Sequence, residues 1–172
     1  MKRLLTSCFG LGLLPVAPGT WGSLPPVVIF ALLCGAGVSA MTTSIVMLIL
    51  VAAGSLVCIM YTPAIIEATG KTDPSEIVAD ELAGQALTLS IVPFLLPPQI
   101  QLPAVIFISL LGFAAFRIFD ITKPLAIRKL EKLPAGWGVL LDDLLAGLYA
   151  AVLIIVTKKL WMSCLVILFR SN

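Results

Sequence analysis

Residues 43–61 read TSIVMLILVAAGSLVCIMY, a run with no charged side chain. At about 1.5 Å per residue a helix of this length covers roughly 28 Å, close to the roughly 30 Å of a bilayer's hydrocarbon core. One such run could hide inside a soluble domain; this chain carries several. No charge falls between Leu4 and Ile66, between Leu82 and Phe116, or between Leu144 and Thr157. Over all 172 residues 60% are apolar and 12% charged, about half of the roughly 25% charge of a soluble domain. A small soluble globule has too much surface for its volume to be covered by so few polar groups. The fold class expected is therefore an all-α integral membrane protein, one membrane-embedded domain over residues 1–172.

Working outward from that run, Leu24–Ala40 is a preceding span, with Pro25 and Pro26 suited to a first helical turn. The short Val38–Thr42 connection makes the two an antiparallel hairpin. Thr62–Glu81 reads as a polar loop. Leu82–Leu96, interrupted by Pro93, and Ala104–Phe119 form a second hairpin that turns near Gln99 and whose first arm is short or tilted. Arg117–Lys132 is basic, Leu133–Gly138 is a Pro/Gly turn, and Val139–Thr157 is the last span. Leu160–Phe169 is too short to cross alone and either extends that helix or lies at the interface. The expectation is a compact bundle of about five transmembrane helices with its site in the cytoplasmic loops. Lys2, Arg3, Lys71, Arg117, Lys123, Arg128, Lys129 and Lys132 share one side, against Lys158, Lys159 and Arg170 on the other. The positive-inside rule makes the first side cytoplasmic, and every acidic residue falls there too.

Composition also removes whole classes of chemistry. The chain has no histidine, which excludes Ser-His-Asp hydrolysis, His-ligated metal centres and imidazole acid-base schemes. A net charge of +2 divided among short loops gives no footprint for nucleic acid. Cys8, Cys34, Cys58 and Cys164 show no CxxC spacing and read as small hydrophobes. The apolar stretch between Arg3 and Cys8 is too short for a signal-peptide core. Cys164 and Arg170 have the spacing of a thiolate phosphatase, but the large apolar residues between them cannot form a phosphate cradle. Gly70-Lys71-Thr72 lacks the upstream glycine of a P-loop.

Five of the nine acidic residues stand at apparent membrane boundaries: Asp80, Glu81, Asp120, Asp142 and Asp143. A carboxylate near hydrocarbon is costly unless paired, hydrated or bound to a cation, so five at one depth call for compensation. A hard divalent ion supplies it, and a His-free, carboxylate-rich set suits Mg²⁺ better than Zn²⁺. The bland alternative is that these acids cap helices, gaining about 0.3–1 kcal/mol each from the macrodipole. An internal echo sharpens the functional reading. Asp80-Glu81-Leu82-Ala83-Gly84 and Asp143-Leu144-Leu145-Ala146-Gly147 share Asp-x-x-Ala-Gly, which puts each Asp about one turn from a Gly on one helical face. Small residues let membrane helices approach closely, so a meeting of these faces brings Asp80 and Asp143 together. Arg117, Lys123 and Arg128 surround Asp120 as candidate phosphate ligands, although Arg117 and Asp120 could equally form an in-helix ion pair. In Pro18-Gly19-Thr20-Trp21-Gly22-Ser23, Thr20 and Ser23 are positioned to offer N–H and hydroxyl groups to an anion, and Ser23 is equally a helix cap.

These blocks together resemble the phosphatidylglycerophosphatase A family of bacterial membrane lipid phosphatases. The residues concerned are Pro18-Gly19-Thr20 with Gly22-Ser23-Leu24, Asp73-Pro74 with Glu76-Ile77-Val78 and Asp80-Glu81, Phe116-Arg117-Ile118-Phe119-Asp120 with Lys123-Pro124, and Gly136-x-Gly138 leading to Asp142-Asp143 and Ala146-Gly147. The resemblance implies Mg²⁺-dependent removal of the terminal phosphate of phosphatidylglycerophosphate, giving phosphatidylglycerol, at the cytoplasmic membrane. On the residues alone, a metal held by Asp80, Asp120 and Asp142 or Asp143 would neutralise phosphate charge and acidify water, with Arg117 and Lys123 on the phosphoryl oxygens. Glu81 is the candidate to take the water's proton, and a covalent aspartyl-phosphate stays open beside it. Two other classes are compatible with the same acids, a carboxylate-lined cation carrier and a non-catalytic membrane subunit. A carrier, however, would place its carboxylates near the bilayer midplane. The partners expected are the lipid substrate and membrane lipids; nothing in the sequence sets an oligomeric state.

Overall fold

The computed structural model describes residues 1–71, 74–97, 100–124, 127, 130, 133 and 136–170, the stretch 161–170 by its backbone alone. Its helices are α1 (Lys2–Thr6), α2 (Pro18–Gly35), α3 (Ala40–Thr69), α4 (Ala79–Ser90), α5 (Leu102–Thr122) and α6 (Trp137–Arg170), with 3₁₀ turns at Leu11–Leu13 and Val92–Leu95. No strand occurs among the described residues. Among the described residues four helices are long and apolar enough to cross a membrane: α2, α3, α5 and α6 as far as Leu160. Their outward faces carry exposed Leu32, Ile49, Phe107 and Val152, as a lipid-facing surface should.

Of the five expected apolar segments, the third is the exception. At 12 residues α4 spans only about 18 Å, too little for a full crossing by itself, and the chain continues through the Val92–Leu95 turn. Pro93 has no N–H to give a helix, which fits the break. Non-helical backbone at membrane depth is tolerated only where protein covers it and satisfies its carbonyls. Here the Lys158 ammonium donates to the Leu95 carbonyl, and α2, α3, α5 and α6 all pack around α4.

Helix ends differ from the sequence reading in three places. The first span begins at Pro18 rather than Leu24, so Pro25 and Pro26 lie inside α2 instead of opening it. The second span runs on to Thr69, two turns into the expected polar loop, and closes on Gly70 at φ +67. That left-handed residue is where a helix most readily stops, since glycine carries no Cβ penalty there. The end of the last span is also settled, because 158–170 continues α6. The α3 start is capped by Ser39, whose Oγ accepts from the Thr42 N–H at 3.1 Å.

Inside a bilayer apolar side chains gain little by leaving lipid, so helix association depends on close packing. Phe30, Met47, Leu89, Val92 and Ile154 fill one half of the bundle. Phe116, Ile127, Ala146 and Ala150 fill the half beneath the carboxylates. The tightest contact joins α4 to α6. A Cβ on Gly147 would collide with the Gly84 carbonyl oxygen, and one on Gly84 would stand 2.6 Å from the Asp143 carbonyl oxygen. Thr88 Oγ1 ties the same two strips together, donating toward the carbonyls of Gly84 (3.1 Å) and Gly147 (3.2 Å). The two Asp-x-x-Ala-Gly faces therefore meet, as the echo predicts.

Candidate active site

A cavity of about 170 Å³ opens at the end of the bundle where α2, α4 and α6 begin and α5 ends. It is lined by Pro18 and Gly19 of α2, Ser75 and Ile77 of the approach to α4, Asp80 and Glu81 of α4, Asp120 of α5, Lys123 just beyond it, and Val139, Asp142 and Asp143 of α6. All five acids singled out from the sequence are thus in one wall. Asp80, Asp142 and Asp143 are 4% exposed and Asp120 is 9% exposed. Groups buried to that degree need compensating charge.

Local backbone geometry aims each group. Asp80 Oδ1 accepts the Glu81 N–H at 3.0 Å, and Asp142 Oδ1 accepts the Asp143 N–H at 3.1 Å. Each acidic pair is therefore braced in the same manner within the early turns of its helix. The positive N-terminal ends of α2 and α4 also face the cavity, which favours negative charge there. Ala17, the residue before α2, takes the left-handed conformation at φ 49 and turns Pro18 and Gly19 inward. Glycine at position 19 leaves room for two side chains. A Cβ there would overlap Glu81 Oε1 and come 3.1 Å from Arg117 Nη1.

Two cations divide the acids between them. Arg117 Nη1 stands 2.6 Å from Asp120 Oδ2, the in-helix pair that was the alternative reading of Arg117. Lys123 Nζ donates to Asp142 Oδ2 at 2.7 Å. Lys123 reaches it from a left-handed backbone at φ 41, where its N–H also caps α5 on the Phe119 carbonyl at 2.9 Å. For a non-glycine residue that conformation is strained, and such strain concentrates at functional sites. Asp80, Glu81 and Asp143 can each bring one carboxylate oxygen within 4.8 Å of the others'. This oxygen-only set fits a hard divalent cation and does not suit a soft or imidazole-seeking metal. It differs from the set expected from sequence by taking Glu81 in and by leaving Asp120 and Asp142 to the two cations.

The remaining predicted residues fall outside the cavity. Ser23 is fully buried inside α2, not at its cap, and its Oγ donates to the Gly19 carbonyl at 2.8 Å. Thr20 is half-buried on the turn above. Neither they nor Arg117 are among the described residues lining the cavity. Arg128 lies outside the described residues, as do Gln99 and Asp73. Sequence reasoning missed Gly19 as a contact point, and Ser75 and Ile77 as lining. The signal for Ser75 was its place between Pro74 and Glu76 in a polar block; Glu76 itself turns away and pairs with Arg3 of α1.

The family model described as Phosphatidylglycerophosphatase A matches residues 4–158. A Haemophilus influenzae protein named "Phosphatidylglycerophosphatase A" is 37% identical over 164 residues, covering 93% of this chain and 90% of the relative. An Escherichia coli protein of the same name is 31% identical over 150 residues, 87% of this chain and 78% of the relative. A Bacteroides thetaiotaomicron protein named "Putative phosphatidylinositol-3-phosphatase" is 35% identical over 158 residues, 90% of this chain and 92% of the relative. No solved structure matches.

Proposed function

The chain belongs to the phosphatidylglycerophosphatase A family, and from that premise we propose that it hydrolyses phosphatidylglycerophosphate to phosphatidylglycerol and phosphate with Mg²⁺, at the cytoplasmic face of the inner membrane. It is a phosphoric monoester hydrolase. One observation carries the mechanism: five carboxylates and a lysine share a cavity of about 170 Å³ at one end of a membrane bundle. The excess of Lys and Arg on that same side supports the cytoplasmic orientation.

Asp80, Glu81 and Asp143 would hold the ion. Bound there, Mg²⁺ supplies neutralisation of phosphoryl charge and acidification of water. The protein's own groups do the rest. Asp142 and Asp120 hold Lys123 and Arg117, whose charge stabilises the equatorial oxygens of the transferring phosphoryl group. Glu81 Oε2 is buried without a hydrogen-bond partner among the described residues and takes the proton of the attacking water. The phosphate ester's alcohol oxygen leaves as the hydroxyl of phosphatidylglycerol, taking the proton that Glu81 accepted. Pro18, Gly19 and Ile77 complete the lining beside these charged groups.

The test is phosphate release by purified protein from phosphatidylglycerophosphate vesicles, with Mg²⁺ and after chelation. Release that depends on Mg²⁺ is the expected result. Undiminished release in chelator would refute the metal assignment, and no release from this lipid would refute the substrate. The name of the Bacteroides relative makes phosphatidylinositol 3-phosphate the second lipid to assay. Faster turnover of that lipid would reassign the headgroup while leaving the phosphatase chemistry in place.

A further inference from the structure

Behind the first turn of α4, on the side away from the carboxylates, lies a second cavity of about 360 Å³. Phe9, Ile29, Leu50, Ala53, Ala79 and Leu82 account for much of its wall, which is apolar almost throughout. The two cavities share elements. Ala79 and Leu82 face the apolar one while Asp80 and Glu81 line the acidic one. Along α2, Pro18 and Gly19 line the acidic cavity and Pro25 and Ile29 the apolar one. Val78, between Ile77 of the acidic lining and Ala79 of the apolar one, packs on Gly12 and Gly22. At the upper lip, Cys8 and Phe9 are left-handed at φ 48 and 60, followed by Gly10 at φ 101. Two successive non-glycine residues in that region are strained, and Phe9 is held outward, 79% exposed.

Size decides what such a furrow can take. One turn of an α-helix, about 10 Å across and about 5.4 Å in pitch, fills roughly 400 Å³, so a furrow of about 360 Å³ does not enclose even a single turn of a partner helix. A single extended hydrocarbon chain is narrow enough to lie within it. The cavity also begins at the same α4 turn that carries two of the acids, so one amphiphile can have its apolar end here and its charged end there.

We propose that this furrow seats an acyl chain of the lipid substrate, whose phosphorylated headgroup passes over the start of α2 into the carboxylate cavity. The assignment rests on the lipid-phosphatase reading above. It makes the furrow the determinant of chain-length preference: a long chain engages Ala53 and Ile29, and a short one does not reach them.

Ala53→Phe fills the furrow from α3 without touching the acidic cavity, and Ile29→Trp does so from α2. Leu48→Phe places the same phenyl ring on an exposed position of α3 outside the furrow. Each purified protein is assayed on dioleoyl and dihexanoyl phosphatidylglycerophosphate with Mg²⁺, and the ratio of kcat/KM for the long over the short lipid is read. The expected ratio falls about 10-fold or more in Ala53→Phe and in Ile29→Trp and holds in Leu48→Phe. An unchanged ratio in whichever furrow variant folds, or an equal fall in Leu48→Phe, overturns the proposal and leaves the furrow to bulk lipid. If the unaltered protein hydrolyses neither lipid, the lipid-phosphatase reading itself fails, a result distinct from an active enzyme with an unchanged ratio.

Discussion

Gly84→Ala perturbs the spacing of the two acid-bearing helices directly. The added Cβ would lie 2.6 Å from the Asp143 carbonyl oxygen and 2.6 Å from Phe116 Cε2. Ordinary contact begins at 3.4 Å, so α4 and α6 must part by about 0.8 Å at this level. The phenyl ring can turn aside, whereas the carbonyl is backbone inside a helix and moves only with it. That backbone carries Asp143, which belongs to the same oxygen set as Asp80 and Glu81. A misplacement of about 1 Å costs about 100-fold in a preorganised site, while overpacking of this kind costs about 1–3 kcal/mol of stability. The expected outcome is therefore a folded protein with kcat/KM down by about 10- to 100-fold. Phosphate release and thermal unfolding in the same detergent measure the two quantities separately. Gly35→Ala is the control, because its Cβ meets only the flexible end of Leu102 at 3.2 Å. Full activity in Gly84→Ala, or a loss no larger than the unfolded fraction, would refute the claim that helix spacing at Gly84 sets the geometry of the site.

Three further outcomes are expected. Asp80→Asn and Asp143→Asn should each remove most activity, with the double variant little worse than the poorer single, because residues acting as a unit lose function non-additively; losses that multiply would mean two separate helix caps. Burial, reinforced by the nearby Asp80 carboxylate, pushes the Cys8 thiol up to about 12, so at neutral pH it holds almost no reactive thiolate. Maleimide treatment near pH 7 should accordingly leave phosphate release intact, and inactivation traced to Cys8 by mass spectrometry would contradict that. In intact cells an impermeant thiol reagent should label Gln101→Cys and spare Lys71→Cys; the reverse pattern would put the acidic cavity on the outer face.

How far the sequence could be read follows from the range of each interaction. Membrane spans were legible because charge-free runs are local, and so was the α4–α6 contact, because Asp-x-x-Ala-Gly repeats at helical spacing in both partners. The start of α2 was not, because Thr20, Trp21, Gly22 and Ser23 read as lying ahead of the first span while the bundle buries Gly22 and Ser23 in a helix. The five acids could be picked out by their depth. Their division into an oxygen trio and two ion-paired residues could not, since Lys123 reaches Asp142 across 19 positions through a left-handed backbone no local pattern encodes. Gly19 could be quoted in its motif but not assigned its neighbours, because Glu81 and Arg117 reach it from two other helices.

The short helix α4 with the Val92–Leu95 turn also bears on how the protein is made. A segment with Asp80 and Glu81 at its entrance and open carbonyls at its exit has little reason to enter lipid by itself. Its shelter comes from both directions along the chain: α2 and α3 precede it, whereas α5, α6 and the Lys158 ammonium are synthesised only afterwards. Lasting insertion of α4 therefore waits on residues translated nearly seventy positions later, and a chain cut short before Lys158 would carry its acidic residues into the membrane without the walls that make them tolerable there.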